Sequence, residues 1–473
     1  MELMSIQLFI VCAYVVLLFA ISMYAKKKAD AGATEYLFAG RKLGPGLIAV
    51  NITGLAVGAA STVGVAENAF TVGLAAGWYN AAWAAGALIM GGVAAGKYRS
   101  LKATTIPDLF ERYYDTKGRV ISAIGLLIIM LVITSLQYLA GGAILSALLP
   151  QIFSFKGGML TSAVVFIGIT LIGGLWSSGL SNIVNVILIY FGVLYSTYAA
   201  VDQIGGVSEL ISKLPAGQDW LNPFAGLPMA IVIGWFVVMI TQAITAQGPV
   251  QIACGAKDAA SAKKGFMWGA LLIFPIGFLC ALIGIVAKVS FPGIKATMAL
   301  PSVVMGLDPF ASGITLAAMW AADISTACTI LLGAGTLFSQ DIYKRFINPG
   351  VSGKKFLSVN RITIFFCGIG TLWMAFNAVG ILKTMVAGLS LTTALTVVFL
   401  FTIFWPEVCR RSSAFYTTLA GLLGIVVWEF CPALHVLQHV IYFEWLLCIA
   451  VFFLVAFIDQ RPIKTPELVE EGE

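Results

Sequence analysis

The segment Ala321-Ala322-Asp323-Ile324-Ser325-Thr326-Ala327-Cys328-Thr329 places one carboxyl group and several hydroxyl groups in an apolar stretch long enough to span a membrane. Successive residues of an α-helix are about 100° apart, so one helix face carries Ala322, Ser325, Thr326 and Thr329, with Asp323 on its flank. Burial of such groups in hydrocarbon costs free energy unless they line a cavity, bind an ion or contact each other. Oxygen ligands suit a hard cation such as Na⁺, or a proton, and do not suit zinc or copper. The segment therefore predicts an ion site in a transporter.

The composition of the whole chain is that of an integral membrane protein. Of the 473 residues, 60% are hydrophobic and 11% are charged, whereas soluble domains carry about 25% charged residues. The first apolar run, 6–24, is too long for a signal peptide core and precedes Lys26-Lys27-Lys28, so we expect a retained span. Eight scattered cysteines and two histidines show no metal-binding or catalytic spacing. We therefore do not expect an enzyme.

Windows of about 19 to 25 apolar residues predict about thirteen transmembrane helices. Their approximate spans are 5–25, 48–68, 74–96, 120–149, 159–176, 181–203, 226–247, 265–290, 311–339, 357–379, 381–405, 412–430 and 440–459. With the N-terminus outside, the inner connections hold 23 of the 28 Lys and Arg residues. This bias predicts an external N-terminus and a cytoplasmic C-terminus in the cell membrane. It also explains the net charge of +6 without a nucleic acid partner.

Two predicted spans are interrupted in mid-membrane. The second contains Asn51-Ile52-Thr53-Gly54-Leu55-Ala56-Val57-Gly58-Ala59-Ala60-Ser61-Thr62-Val63-Gly64, where Gly and polar residues weaken the helix and free backbone carbonyls. The seventh ends in Thr241-Gln242-Ala243-Ile244-Thr245-Ala246-Gln247-Gly248-Pro249, where Pro removes a backbone donor. Because the interruptions lie five spans apart, we expect the two helices to cross the membrane in opposite directions. Paired broken helices of this kind indicate the central site of a secondary transporter.

Motifs spread over most of the chain resemble the sodium:solute symporter family, whose members carry sugars, proline, pantothenate, sialic acid, monocarboxylates, choline or iodide. The interrupted second span looks like the family's first core helix. The other matching motifs are Glu35-Tyr36-Leu37-Phe38-Ala39-Gly40-Arg41-Lys42-Leu43-Gly44, the loop residues Gln251 and Ala256-Lys257-Asp258, and the segment from Ala321-Ala322 to Gln340-Asp341-Ile342-Tyr343-Lys344. The last motif is the most specific, because it combines the family's sodium-ligand positions with the helix-ending DIYK.

The resemblance implies an all-α integral membrane protein of LeuT-type architecture with a 5+5 inverted repeat. The leading helix is 5–25, the two repeats are 48–203 and 226–405, the two trailing helices are 412–459, and a polar cytoplasmic tail is 460–473. The family's sodium site uses carbonyls at the break of the first core helix and carbonyl and hydroxyl oxygens of the eighth. Carried over to this sequence, the Na⁺ ligands are Gly54, Val57, Ala322, Ser325 and Thr326.

The chain departs from the family pattern at a second cation site that some members possess. Those members have a carboxylate on the fifth core helix, where this chain has the neutral Asn182. Cys328, a poor Na⁺ ligand, occupies one of the eighth-helix positions, beside Thr329. Asp323 supplies a carboxylate where the family usually has an apolar residue. These four residues are a candidate second cation or proton site, and a capped structural carboxylate is the alternative for Asp323.

The substrate candidates lie on both broken helices and on the helices beside them. No Arg or Lys falls in mid-membrane here, which argues against a substrate carboxylate held by an ion pair. Aromatic residues with Glu67 would suit a small cation or a neutral polar solute, although an interfacial belt also explains the aromatic cluster. The candidates are Ala60, Ser61, Glu67, Trp78, Tyr79, Trp83, Gln137, Gln242 and Thr245.

The sequence thus predicts a Na⁺-coupled symporter that imports a small organic solute by alternating access. We expect Na⁺ as coupling ion, the lipid bilayer and the solute as partners, and a functional monomer. Two alternatives stay open. One is an H⁺-coupled symporter that uses Asp323, and the other is a channel or leak protein on the same scaffold.

Overall fold

The structure is a computed structural model that describes residues 2–101, 104–376 and 388–464. Within these ranges it consists of α-helices and short 3₁₀ or π segments and contains no β-strand. The α-helices are α1 (Glu2–Ala29), α2 (Ala33–Phe38), α3 (Pro45–Ala56), α4 (Val65–Val72), α5 (Trp78–Ile89), α6 (Ala95–Ser100), α7 (Ile106–Tyr113), α8 (Thr116–Leu148), α9 (Phe155–Ile204), α10 (Val207–Lys213), α11 (Met229–Thr245), α12 (Gln247–Cys254), α13 (Ala259–Ser290), α14 (Ala299–Gly306), α15 (Pro309–Leu337), α16 (Gly353–Ala375), α17 (Thr393–Phe404), α18 (Ser413–Phe430) and α19 (Val440–Ile458). The 3₁₀ or π segments are Ala39–Arg41, Ala60–Gly64, Gly73–Gly77, Met90–Ala94, Ala296–Met298, Phe338–Ile347, Pro406–Val408 and Pro432–Leu437.

By length and composition, eight of the described helices can cross a membrane, or ten if each of two bent pairs is one span. This number is below the predicted thirteen for three reasons. The first bent pair covers two predicted spans, 48–68 and 74–96. α9 also covers two, 159–176 and 181–203. Residues 377–387 lie outside the described residues, so 381–405 is seen only as a shorter apolar helix, Gly388–Phe404.

α9 changes direction at Gly174, where φ is 52° and ψ is −136°. A straight helix of its 50 residues would be about 75 Å long, more than twice the roughly 30 Å of a bilayer core. A positive φ is inexpensive only for glycine, and the Tyr36 carbonyl occupies the place where a Cβ would project from Gly174. The break at Gly174 therefore divides α9 into two shorter helices, whereas the apolar pattern predicts this division a few residues later.

The first predicted interruption is present and is sharp. α3 ends at Ala56, and Val57 has φ −92° and ψ 78°, which turns its carbonyl out of the helical direction. A π segment, Ala60–Gly64, leads into α4. The chain bends by 62° between Pro45–Ala56 and Ala60–Ser100.

The second interruption is present too, but it lies before the Gly-Pro pair that predicted it. The chain bends by 47° between α11 and α12. The residue at the bend is Ala246, with extended dihedrals of −66° and 140°. Pro249 lies in the first turn of α12, where a backbone N–H has no intrahelical acceptor, so Pro starts the second helix rather than ending the first.

α15 is the central helix of the molecule. Every residue of its most apolar stretch is buried, and the helix packs on α1, α3, α8, α9 and α16. Its outer surface therefore faces other helices rather than lipid, so its carboxyl and hydroxyl groups are enclosed by protein. The trailing helices α18 and α19 pack on each other and on α17, at the edge of this core.

The DIYK motif that follows α15 is held by an ion-pair network. Arg119, at the start of α8, lies 2.7 Å from Asp341 and 2.6 Å from Glu111 of α7. Arg345 lies 2.9 Å from Glu111, and the hydroxyl of Thr105 donates to Asp341 at 3.0 Å. These contacts hold the segment Phe338–Ile347, which follows α15, against α7 and the start of α8.

The predicted polar tail, 460–473, begins as an ordered segment. The backbone N–H of Lys464 donates to the carbonyl of Tyr113 at 2.7 Å, and that of Arg411 donates to the carbonyl of Arg461 at 3.0 Å. Residues 465–473 lie outside the described residues.

Candidate ion and solute sites

The break after α3 brings backbone oxygens against α15. The hydroxyl of Ser325 donates to the Gly54 carbonyl at 2.7 Å, and the hydroxyl of Thr326 lies 3.0 Å from the same oxygen and 3.1 Å from that of Leu55. Both hydroxyls also approach the Ala322 carbonyl, at 2.8 Å and 3.2 Å. Four of the five predicted Na⁺ ligands, Gly54, Ala322, Ser325 and Thr326, therefore form one buried cluster.

The oxygen cluster contains more lone pairs than protons. Ser325 and Thr326 contribute one hydroxyl proton each, while the carbonyls of Gly54, Leu55 and Ala322 only accept. Such a surplus of acceptors suits a cation. Ligands that surround Na⁺ at about 2.4 Å lie about 3.4 Å from one another in octahedral geometry. The oxygen pairs would therefore separate, by up to about 0.7 Å for the pair of Ser325 and Gly54, to admit the ion.

Val57 lies at the break but is not part of this hydrogen-bonded cluster. Within the described residues, no hydrogen bond joins its carbonyl to α15, and its ψ of 78° directs that carbonyl away from the α3 ladder. Its place as the fifth ligand stays a prediction.

Two glycines allow α15 and α9 to approach the break closely. A Cβ at Gly58 would meet the hydroxyl of Thr326 and would lie 3.1 Å from the side-chain oxygen of Gln137. A Cβ at Gly54 would lie 2.8 Å from the side chain of Asn182. Gly thus has a packing role at both positions, in addition to weakening the helix.

The residues of the candidate second cation site do not share one set of contacts. Asn182 donates to Asn51 at 3.2 Å and accepts from Asn185, which in turn accepts from Tyr14 at 2.9 Å. This chain of neutral groups stands beside Gly54. Thr329 donates to the Ser325 carbonyl at 3.0 Å and lies 3.1 Å from the hydroxyl of Ser178. Cys328 instead faces the Phe166 carbonyl at 3.5 Å.

Asp323 is completely buried, and neither of its carboxyl oxygens has a hydrogen-bond partner among the described residues. The Gly141 backbone lies beside the carboxyl group without making a hydrogen bond of ordinary geometry, and a Cβ at Gly141 would be 3.0 Å from it. Ser162, which accepts from Trp320 at 3.0 Å, lies on the same side. Asp323 therefore faces α8 and α9, whereas the oxygen cluster faces the break.

A narrow cavity lies next to the oxygen cluster. Its volume is about 20 Å³, enough for about one water molecule. Both broken helices contribute to it, and Thr326 belongs to the cavity and to the cluster alike. Of the substrate candidates, the cavity contains Trp83 and Gln242, and the Gln242 side-chain nitrogen has no hydrogen-bond partner among the described residues. The remaining lining residues are Leu55, Met130, Ile133, Ala246, Gly248, Pro249, Ile330 and Leu389.

The other substrate candidates have contacts outside the cavity lining. Gln137 reaches the break, where it accepts from the backbone N–H of Ala59 at 3.4 Å, while Ser61 donates to the Ala56 carbonyl at 2.5 Å and Ala60 is buried. Glu67 is half-buried on α4. Tyr79 packs edge-on against Trp235, with ring centroids 6.0 Å apart.

Trp78 and Thr245 face away from the cavity. The Trp78 indole donates to the Pro223 carbonyl at 2.7 Å and packs on Phe224, both in the connection before α11. The Thr245 hydroxyl pairs with that of Thr396 on α17 at 2.7 Å. Sequence reasoning missed the apolar walls, Met130, Ile133 and Ile330, because an apolar cavity residue has the same sequence signature as a core residue.

Comparison with known proteins shows the family of the chain. The profile of the sodium:solute symporter family matches residues 36–421. A sodium/glucose cotransporter of Vibrio parahaemolyticus is 27% identical over 400 residues, which is 75% of this chain and 72% of the relative. A sodium/proline symporter of Escherichia coli is 22% identical over 84% of this chain and 82% of the relative.

Two solved structures share the fold. A Na⁺-coupled sialic acid symporter in a substrate-bound outward-open state aligns with a TM-score of 0.81 at 16% identity, over 97% of this chain and 99% of its own. A nucleobase-cation-symport-1 family transporter in a closed conformation aligns with a TM-score of 0.62 at 14% identity, over 90% and 95% of the two chains. The chain therefore belongs to the sodium:solute symporter family, as a multi-pass membrane transporter rather than an enzyme, with Na⁺ as its coupling ion.

Proposed function

We propose that this transporter imports a small organic solute together with Na⁺ by alternating access, and that the oxygen cluster at the α3 break is its sodium site. The observation that carries this proposal is the contact of Ser325 and Thr326 with the Gly54 carbonyl. It joins a freed backbone carbonyl on one helix to hydroxyls on another, so a bound Na⁺ would bridge the two helices.

Thr326 supplies the coupling between ion and solute. Its hydroxyl belongs to the ion cluster, and the same residue lines the cavity with Leu55, whose carbonyl is also in the cluster. An ion that fixes these two residues therefore fixes one wall of the solute cavity. The cavity is too narrow for an organic solute, so binding requires the helices around it to separate, as alternating access demands.

The membrane potential gives such a mechanism enough driving force. One charge that moves through 100 mV releases about 2.3 kcal/mol, which supports roughly fifty-fold accumulation of a neutral solute. The cavity lining holds no ionisable side chain, and its unpartnered amide, that of Gln242, offers hydrogen bonds to a neutral polar group. The relatives are named for glucose and proline, and the aligned structure for sialic acid. For this chain, an uncharged or zwitterionic metabolite fits the lining best.

The wider arrangement follows from the same proposal. We place the N-terminus outside and the C-terminus in the cytoplasm of the cell membrane, because 23 of 28 basic residues then face inward. The two broken pairs occupy corresponding places in the inverted repeats 48–203 and 226–405, between the leading helix and the trailing helices 412–459. One chain contains both halves of the cavity, so a monomer is sufficient for transport.

The deciding experiment measures thermal stabilisation of the purified protein by a metabolite panel, with and without Na⁺. We expect at least one solute whose stabilising effect depends on Na⁺, and whose uptake into proteoliposomes saturates. Uptake that follows a pH gradient without Na⁺, and that Asp323→Asn abolishes, would show that H⁺ rather than Na⁺ is the coupling ion. Ionic current without saturable uptake would indicate a channel. Either result would overturn the proposal.

A further inference from the structure

A groove with a volume of about 610 Å³ opens at the end of the molecule that carries most basic residues. One wall is the segment from Gly91 to Leu101, which includes α6, and the other is the first turns of α13. Glycine forms much of the first wall, and a Cβ at Gly92 would meet no atom within 4 Å. The groove is therefore open and shallow at this point.

Two lysines line the groove, Lys97 on the α6 wall and Lys263 on the α13 wall. Within the described residues, neither ammonium group makes an ion pair, and the Lys97 group lies 4.2 Å from the centre of the Phe404 ring. The hydroxyl-bearing residues Ser100 and Tyr113 also line the groove. The N-terminus of α13 is already capped by Asp258, so the lysines carry the attraction for an anion.

An exposed apolar track leads from the lysines toward the middle of the membrane. Met267 and Leu271 lie one and two turns beyond Lys263 on α13, and both are exposed, Leu271 at 73%. On the opposite wall, Leu88 and Ile89 are exposed at the end of α5. Met267 lies beside Gly91, with 3.5 Å from its Cγ to the position of a Gly91 Cβ, so track and groove are continuous.

We propose that this groove binds an anionic phospholipid, with the phosphate between Lys97 and Lys263 and the acyl chains along the apolar track. Basic residues at the membrane surface attract anionic headgroups, and basic pockets between transmembrane helices are suited to hold them. A free phosphate would use only the lysines, whereas a phospholipid also covers the exposed Met267, Leu271, Leu88 and Ile89. The charge and the apolar track together therefore favour the lipid.

Native mass spectrometry of the full chain in detergent tests this proposal with phosphatidylglycerol and phosphatidylcholine of equal acyl length. We expect phosphatidylglycerol to bind the unmodified protein more tightly. The double variant Lys97→Gln with Lys263→Gln should weaken that binding by on the order of 25-fold, about fivefold for each lysine. The variant Lys97→Arg with Lys263→Arg should retain it, which also shows that the groove stays folded.

The matched control removes two exposed lysines at the start of α16 by Lys354→Gln with Lys355→Gln. We expect this control to bind phosphatidylglycerol as tightly as the unmodified protein. Equal weakening in both glutamine variants would show a general effect of net charge and would overturn the proposal. Equal binding of the two lipids would overturn it too, as would displacement of phosphatidylglycerol by glycerol phosphate at a comparable concentration.

Discussion

The hydroxyl of Ser325 lies 2.7 Å from the carbonyl oxygen of Gly54, although 271 residues separate the two in sequence. The contact exists because α3 stops at Ala56 and leaves backbone oxygens of its last turn accessible to α15. Thr326 approaches the same carbonyl and also lines the cavity. One short stretch of α15 therefore connects the candidate ion site with the candidate solute site.

Removal of the Thr326 hydroxyl should weaken Na⁺ binding more than it weakens the fold. Thr326→Ala deletes a candidate ligand, at a cost of about 1.5–3 kcal/mol, or roughly ten- to hundred-fold in Na⁺ affinity. Thr326→Ser keeps the hydroxyl and should bind Na⁺ almost normally. The measurement is the Na⁺ concentration that gives half-maximal thermal stabilisation.

A buried threonine of α16 is the matched control for Thr326. Thr371 donates within its own helix, to the Cys367 and Gly368 carbonyls, so Thr371→Ala should leave the Na⁺ dependence unchanged. Equal loss of Na⁺ affinity in Thr326→Ala and Thr371→Ala would remove Thr326 from the site.

A methyl group at Gly58 should disturb the ion site directly. In Gly58→Ala, the new Cβ would collide with the Thr326 hydroxyl and approach Gln137 at 3.1 Å. Overpacking of this kind costs about 1–3 kcal/mol, and here it would displace a candidate ligand. We expect a lower unfolding temperature and a weakened response to Na⁺.

Gly370 provides the control for added volume, since a Cβ there would meet nothing within 4 Å. Gly370→Ala should keep the stability and the Na⁺ response. If Gly58→Ala behaves like Gly370→Ala, the close approach of α15 to the break is not important for the site.

Gln242→Leu should separate solute binding from ion binding. The Gln242 side-chain nitrogen is buried at the cavity without a described partner, which leaves it available to a solute. Once a solute has been found, we expect its apparent affinity to fall about tenfold or more, by loss of one buried hydrogen bond, while Na⁺ stabilisation persists. Gln203→Leu, at an exposed contact with the Gly306 carbonyl, is the control. Unchanged solute affinity in Gln242→Leu would exclude a contact with the solute.

The sequence was informative where polar residues or glycines interrupt an apolar run. Asn51–Gly64 indicated the first break, and the hydroxyls of Ser325 and Thr326 indicated its partner. The second break was placed too late, because Pro249 starts α12 rather than ending α11. Two spans, 159–176 and 181–203, were predicted where the structure has α9, but their boundary was placed a few residues after the turn at Gly174, since an isolated glycine is common in membrane helices. Apolar cavity walls and the pairing of Arg119 with Asp341 depend on contacts between distant helices, which spacing in one sequence does not report.

The ion-pair network beside the DIYK motif should make the protein less stable against unfolding at acid pH. Burial opposes ionisation of Glu111, but hydrogen bonds from Arg345 and Arg119 lower its pKa to about 2, below its ordinary value of 4.5. Because the pKa of Glu111 is lower in the folded protein than its ordinary value, the stabilisation by its ion pairs is complete above pH 4.5 and is lost as the pH falls toward 2. We expect the unfolding temperature of the unmodified protein to fall in this window.

Glu111→Gln removes the titrating group while keeping its size. This variant should be less stable than the unmodified protein at pH 7, and the difference between the two should shrink as the pH approaches 2. A difference that stays constant between pH 7 and pH 3 would contradict the role of the Glu111 carboxylate.

In the proposed mechanism, Na⁺ drives transport through its contacts with the Ser325 and Thr326 hydroxyls. Proteoliposomes that contain the full chain allow its most direct test, with a solute from the panel, a Na⁺ gradient and a controlled membrane potential. We expect saturable uptake that needs Na⁺, and loss of that uptake in Ser325→Ala with Thr326→Ala while the variant remains folded. Uptake that is equal with and without Na⁺, or unchanged in the double variant, would contradict it.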